Sequence, residues 1–135
     1  VEALAPARDH LGDDLGGILQ IGVDDHDRLA SRVVDAGAHL KAFRRMDGAF
    51  AGAVDVSQRK ARTSALFPLP SGEFGQIIGH QQLTGMELTN GGLAVFHGGL
   101  PIMEGDTLLG AIGVSGGSAE QDLDVARHAL TAGAG

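Results

Sequence analysis

The sequence predicts an α+β domain in which helices pack on an antiparallel sheet. Two groups of β-like segments, within residues 32–44 and 93–114, lie on either side of a helix-forming segment at 54–67, and a last helix is predicted at 119–131. The length of 135 residues is near the usual size of one compact domain, so we expect a single domain over residues 1–135.

The first β-like group is a hairpin. Residues 32–34 and 39–44 are rich in β-forming side chains, and Asp35-Ala36-Gly37-Ala38 between them has the composition of a turn. The second group consists of apolar runs at 93–96, 97–102 and 107–114; glycine-containing turns lie before the first run, at 90–92, and before the last, at 104–106. Apolar runs bounded in this way are typical of buried strands, and we expect strands in all three.

The helices are predicted mainly from residues that are typical of helix ends. Pro68 and Pro70 end the helix predicted at 54–67, and a short helix or ordered loop is expected from Ser71 to about Gln82. Ser118 and Gln121 fit a capping box at the start of the last helix. Near the beginning of the chain, a short helix is expected within residues 1–14 and an apolar stretch at 16–23.

Composition excludes several classes of function. The chain has no Cys, which rules out disulfides and thiolate metal sites, and no apolar run is long enough to cross a membrane. A net charge of −7 and few aromatic side chains argue against nucleic-acid binding. We expect a cytoplasmic protein, while a secreted form stays open.

The charges are unevenly distributed. Residues 1–27 carry seven acidic side chains and one Arg, whereas residues 28–67 carry eight basic side chains and three Asp. A basic surface of this kind suits a small anion or an acidic patch on a neighbouring subunit, and the alternative is ordinary solvated charge.

Two histidines and one lysine are the chemically interesting side chains. His39 follows the hairpin turn and His97 precedes Gly98-Gly99, and a neutral imidazole suits both haem iron and proton transfer. Lys60 completes an S-x-x-K pattern with Ser57, but the Ser-Asp-Asn and Lys-Thr-Gly motifs that accompany it in penicillin-binding enzymes are missing. Lys60 either binds a carboxylate and moves a proton, or forms an ion pair with Asp35 or Asp47.

Four blocks of sequence resemble one family. Residues 33–48, 60–65, 98–102 and 110–122 occur in the order typical of the GlcG/HbpS-like family, which is often labelled haem-degrading. The resemblance covers about residues 30–131, and residues 1–29 are less typical. It implies a profilin-like or PAS-like fold with a five-stranded antiparallel sheet, and assembly into homo-oligomers, as dimers or octamers.

The resemblance also implies a function. It implies a small-molecule ligand, haem or another tetrapyrrole, bound in a groove between subunits, with His39 as the preferred ligand to the haem iron. The ligand-binding residues predicted on this basis are His39, His97, Phe43, Thr63, Gly98 and Gly99.

Two alternatives stay open beside haem binding. One is an enzyme acting on a small oxygenated or carboxylate-bearing metabolite, in which Lys60 and Arg44 hold the anion and a His or Asp47 moves a proton. The other is a structural partner that stabilises another enzyme.

Overall fold

The computed structural model describes residues 28–134, with side chains as far as residue 131. The helix predicted within residues 1–14 and the apolar stretch at 16–23 lie outside this part of the chain. The elements, in chain order, are β1 (Ala30–Asp35), β2 (Leu40–Arg45), α1 (Ala51–Leu66), α2 (Ser71–His80), a short 3-10 helix (Met86–Leu88), β3 (Gly99–Glu104), β4 (Thr107–Ser115) and α3 (Ala119–Ala134).

The strands form an antiparallel sheet with helices on both faces. Its strand order is β2-β1-β4-β3, so β2 and β3 are the edges within the described residues. Neighbouring residues of a strand point to opposite faces. Val33 and Ile112 accordingly pack in the core cluster that includes Val125 of α3, whereas Val34 packs with Ala61 of α1. The predicted α+β class is confirmed.

Helix α1 lies very close to the sheet. Ala61 and Ala65 face β4, and Gly113 of β4 lies directly beneath the helix. A Cβ atom at Gly113 would lie 2.1 Å from the Ser57 carbonyl oxygen and 2.5 Å from the Ala61 nitrogen. The core under α1 is therefore built from small side chains and backbone, which agrees with the absence of Trp and Tyr from the chain.

The sheet has four strands within residues 28–134, so the prediction of five is wrong for this part of the chain. The apolar run at 93–96 is a loop and not a strand. Its backbone is bound by helix side chains: the Ala94 amide donates to Thr63 Oγ1 (3.2 Å), and the Phe96 carbonyl accepts from Ser71 Oγ (2.6 Å). Leu93 packs on α2 in the cluster of Phe74 and Ile78. The run is apolar because it covers helices.

The other elements agree with the sequence to within a few residues. The capping box forms as predicted: Ser118 Oγ accepts from the Gln121 amide (3.1 Å), and Gln121 Oε1 accepts from the Ser118 amide (2.9 Å). Helix α1 begins three residues before its predicted start and ends just before Pro68. Within the described part of the chain, no helix is long and apolar enough to cross a membrane.

Candidate functional site

The β1–β2 hairpin turn holds His39 in a defined orientation. The amides of Gly37 and His39 both donate to Asp35 Oδ1, at 2.9 and 3.0 Å, and His39 Nδ1 lies 3.2 Å from the same oxygen. An ionised carboxylate only accepts hydrogen bonds, so Nδ1 carries the proton and Nε2 of the neutral ring keeps its lone pair. The His39 side chain is 81% exposed, which leaves Nε2 available to a ligand.

Electrostatics keep Asp35 in its ionised form. Partial burial by itself raises the pKa of Asp35, but the hydrogen bonds from the His39 and Gly37 amides and the nearby His39 ring outweigh it. The net effect is a pKa below the ordinary value of an aspartate. The carboxylate that orients His39 is therefore charged at neutral pH.

A concavity of about 510 Å³ lies beside this pair. Leu108 and Leu109, at the start of β4, supply apolar walls, and Lys41 of β2 supplies one cationic group. Apolar walls together with a few polar groups are what small-molecule sites usually present. This arrangement suits a flat, largely apolar ligand that carries carboxylates.

The lowered pKa of Asp35 gives a testable pH dependence. Asp35 binds a proton more readily in the unfolded chain, so its contribution to stability is present above about pH 4 and is lost as the pH falls through the lower folded pKa. We expect Asp35→Asn to show a smaller loss of unfolding free energy between pH 5 and pH 3 than the parent. Urea unfolding at several pH values measures this. The prediction would be contradicted if Asp35→Asn lost as much unfolding free energy as the parent between pH 5 and pH 3. Asp106→Asn, in the exposed β3–β4 turn, is the matched control.

Lys60 belongs to a second candidate site, which is buried in the interior of the molecule. Its side chain is 1% exposed, and Nζ donates to Asp122 Oδ2 (3.0 Å) and to the Val114 carbonyl (2.9 Å). The Phe96 ring covers the ammonium, with 5.0 Å between Nζ and the ring centroid. The acidic partner of Lys60 is thus Asp122, and not Asp35 or Asp47 as the ion-pair alternative supposed.

Burial lowers the pKa of Lys60, and the Asp122 carboxylate partly offsets this by attraction and a hydrogen bond. Asp122 is itself buried and also accepts the Gly117 amide on Oδ1 (2.9 Å). The pair therefore joins α1, the end of β4 and the start of α3. In this structure the buried ammonium is closed to an external anion.

The glycines before β3 allow the chain to pass over Lys60. Gly98 has a φ of +131°, and a Cβ there would lie 2.4 Å from the Val114 carbonyl and 2.7 Å from Lys60 Nζ. A Cβ at Gly99 would lie 2.5 Å from the Lys60 carbonyl. His97, just before them, rests against Gly72 of α2, and its buried Nδ1 has no hydrogen-bond partner within the described residues.

The predicted site residues therefore fall in separate places. Lys60, His97, Gly98 and Gly99 come together, and Thr63 is close by in α1, where it holds the Ala94 amide. His39 lies at the hairpin turn, and Asp47 is exposed just after β2. The catalytic roles predicted for Lys60, Arg44 and Asp47 stay predictions.

Arg44 and Phe43 lie on opposite faces of the edge strand β2. Arg44 is in register with Ser31 and, across β1, with Val114, whose side chain packs under α3. Phe43 is in register with Arg32 on the face that α1 covers. The backbone of α1 lies on the other face of the sheet from Arg44, whereas the Lys60 ammonium extends to the Val114 carbonyl and to Asp122 of α3.

Sequence reasoning missed Asp122 and Phe96 as parts of the Lys60 environment. Phe96 belongs to the run at 93–96, which was expected to form a strand. The one available signal was a lysine in a helix whose other inward side chains are small, since a lysine on a buried face needs an acidic partner.

Comparison with known proteins identifies the family. The family model described as haem degrading protein HbpS-like matches residues 18–131. The chain belongs to the HbpS-like family. The predicted resemblance is confirmed, although the match begins earlier than residue 30, where it was expected to start.

Individual relatives agree with this assignment. An uncharacterized 15.0 kDa protein from the dhaT-dhaS intergenic region of Citrobacter freundii is 38% identical over 100 residues, which are 73% of this chain and 70% of that protein. The corrinoid adenosyltransferase PduO of Salmonella typhimurium is 30% identical over 102 residues; these cover 74% of this chain but only 30% of PduO.

A solved structure of a related domain extends the comparison to the fold. The crystal structure of the PduOC:Heme complex superposes with a TM-score of 0.82 at 27% identity, over 89% of this chain and 91% of that one. This member of the HbpS-like family therefore has the fold of a domain that has been crystallised with haem.

Proposed function

We propose that this protein binds haem or a related tetrapyrrole, and that His39 supplies the axial ligand to the iron. The Asp35–His39 pair at the edge of an apolar concavity is the observation that carries the proposal. Histidines that bind a metal usually donate their second ring nitrogen to a carboxylate or carbonyl group, which fixes the tautomer. Asp35 does this for His39 before any ligand arrives.

The surroundings of His39 fit the rest of the ligand. Leu108 and Leu109 offer apolar contact for a porphyrin face, and the Lys41 ammonium offers a partner for a propionate carboxylate. Haem, when bound, supplies iron for redox or gas chemistry, and the protein tunes it through the axial ligand and its hydrogen bonds. The relationship to a domain crystallised with haem supports the same ligand class.

A neighbouring subunit is part of the proposal. The concavity at the hairpin is open on one side, and Leu40 and Phe43 of the adjacent edge strand expose 52% and 39% of their surfaces. A second copy, in a dimer or a higher oligomer such as an octamer, would close the groove over the ligand.

Titration with hemin tests the proposal. We expect a saturable Soret shift at about one haem per subunit or per dimer in the parent protein, and loss of that shift in His39→Ala, because an axial ligand dominates the Soret position. His80→Ala, which removes an exposed histidine of α2, is the matched control and should titrate like the parent.

Each other outcome has a definite meaning. Absence of a saturable shift in the parent protein would overturn haem binding. A shift that survives His39→Ala but disappears in His97→Ala would transfer the ligand to His97, whose Nδ1 has no hydrogen-bond partner within residues 28–134.

A further inference from the structure

Three arginines meet at a polar concavity of about 310 Å³ on the face of the sheet that α1 covers. Arg32 comes from β1, and Arg59 and Arg62 come from adjacent turns of α1, where residues three apart share a helix face. The remaining lining residues are Ala38, Asp55, Gln58 and Gly91. None of these residues lines the concavity beside His39.

Two of the arginines are held in place by the backbone of one turn. Arg59 Nη1 donates to the Gly91 carbonyl (2.6 Å), and Arg62 Nε donates to the Asn90 carbonyl (2.8 Å). The turn presents these carbonyls because Asn90, Gly91 and Gly92 all have positive φ, at 54°, 78° and 98°. A Cβ at Gly92 would lie 2.0 Å from Arg59 Nη1, so another residue there would displace the guanidinium as well as strain the turn.

Asp55 accepts a further hydrogen bond from Arg59. Its Oδ2 accepts from Arg59 Nε at 2.7 Å, one turn along the same helix. Arg59 is thus held by both a carboxylate and a carbonyl, whereas the two terminal nitrogens of Arg62 make no hydrogen bond within the described part of the chain. Three guanidinium groups and one carboxylate leave the concavity positively charged.

Arg32 is the residue that points to a ligand. It lies in the interior of β1, partly buried, and its guanidinium forms no hydrogen bond or ion pair with any of residues 28–134. Burial, followed by repulsion from Arg62, lowers its pKa. A partly buried cation beside a like charge is costly unless an anion lies between them.

We propose that this concavity binds a small oxyanion, a phosphate or carboxylate group, between Arg32 and Arg62. The planar guanidinium fork donates two parallel hydrogen bonds to such a group, and the fixed Arg62 Nε leaves its terminal nitrogens available for this. The site is independent of haem binding, because it uses neither His39 nor the Lys41 ammonium.

Isothermal titration of the 135-residue chain, without haem, tests the site. Inorganic phosphate and succinate are the two probes, each at constant ionic strength adjusted with NaCl, and they distinguish a phosphate source from a carboxylate source. We expect saturable binding of at least one probe at one site per subunit. Arg32→Gln and Arg62→Gln should each weaken it at least 10-fold, equivalent to about 1.4 kcal/mol.

Two further variants separate a built site from general charge attraction. Arg127→Gln removes an exposed arginine of α3 and should leave the affinity unchanged. Arg32→Lys keeps the charge but loses the fork, so we expect it to bind more weakly than the parent. No saturable binding in the parent, or equal weakening in Arg127→Gln, would overturn the proposal; circular dichroism confirms that each variant is folded.

Discussion

Replacing Lys60 with methionine should lower the free energy of unfolding by about 3–5 kcal/mol, the usual cost of breaking a buried ion pair from one side. The substitution leaves the Asp122 carboxylate buried without its cation and the Val114 carbonyl without its donor. Urea unfolding followed by circular dichroism at pH 7 measures the change. Lys41→Met removes an exposed lysine and should change stability by less than about 1 kcal/mol.

A double substitution tests whether the charge or the packing is responsible. In Lys60→Met/Asp122→Leu no charge stays buried, so we expect much of the lost stability to return. The recovery should be incomplete by about 1 kcal/mol, because Asp122 Oδ1 also accepts the Gly117 amide. If Lys60→Met does not fold, the double variant still folds and carries the test. A Lys60→Met variant as stable as Lys41→Met would contradict the ion-pair interpretation.

The second large effect is expected at Gly113, where α1 rests on the sheet. Gly113→Ala places a methyl group 2.1 Å from the Ser57 carbonyl oxygen, and backbone on both sides leaves it no space. We expect a loss of about 3 kcal/mol, at the upper end of the cost of overpacking. Thermal and urea unfolding measure this loss.

Gly52→Ala is the matched control for that variant. A Cβ at Gly52, in the first turn of α1, meets nothing within 4 Å, so the substitution should stabilise the protein by about 0.5 kcal/mol. Equal effects at Gly52 and Gly113 would show that α1 is free to move away from β4, and would contradict the close packing described above.

The elements that sequence predicts well are those with a local cause. The hairpin at 32–44 follows from its turn residues, α1 ends because prolines follow it, and α3 begins at a capping box. The run at 93–96 has the composition of a strand, yet nothing local shows that Thr63 and Ser71 bind its backbone. The pattern of apolar residues indicates that a segment is buried, but it does not show which elements cover that segment.

The same distinction applies to the candidate sites. His39 and its turn are contiguous in sequence, so the residues that orient the ring were visible together. The partners in the Lys60–Asp122 pair are 62 residues apart in sequence, and those in the Arg62–Asn90 contact are 28 apart. At such separations a single sequence does not show which residues contact each other. The excess of basic residues in 28–67 is compatible with an anion site, an acidic partner surface or ordinary solvated charge, and only the fold shows which arginines converge.

The Lys60 ion pair can form only late in the synthesis of the chain, because its two partners are 62 residues apart. The lysine is translated well before α3, so the growing chain carries a cation in α1 whose carboxylate partner does not yet exist. A chain synthesised only as far as β3 likewise lacks the Val114 carbonyl, which accepts a hydrogen bond from the same ammonium. During synthesis, the buried contacts of Lys60 can therefore be completed only after Asp122 of α3 has been added to the chain.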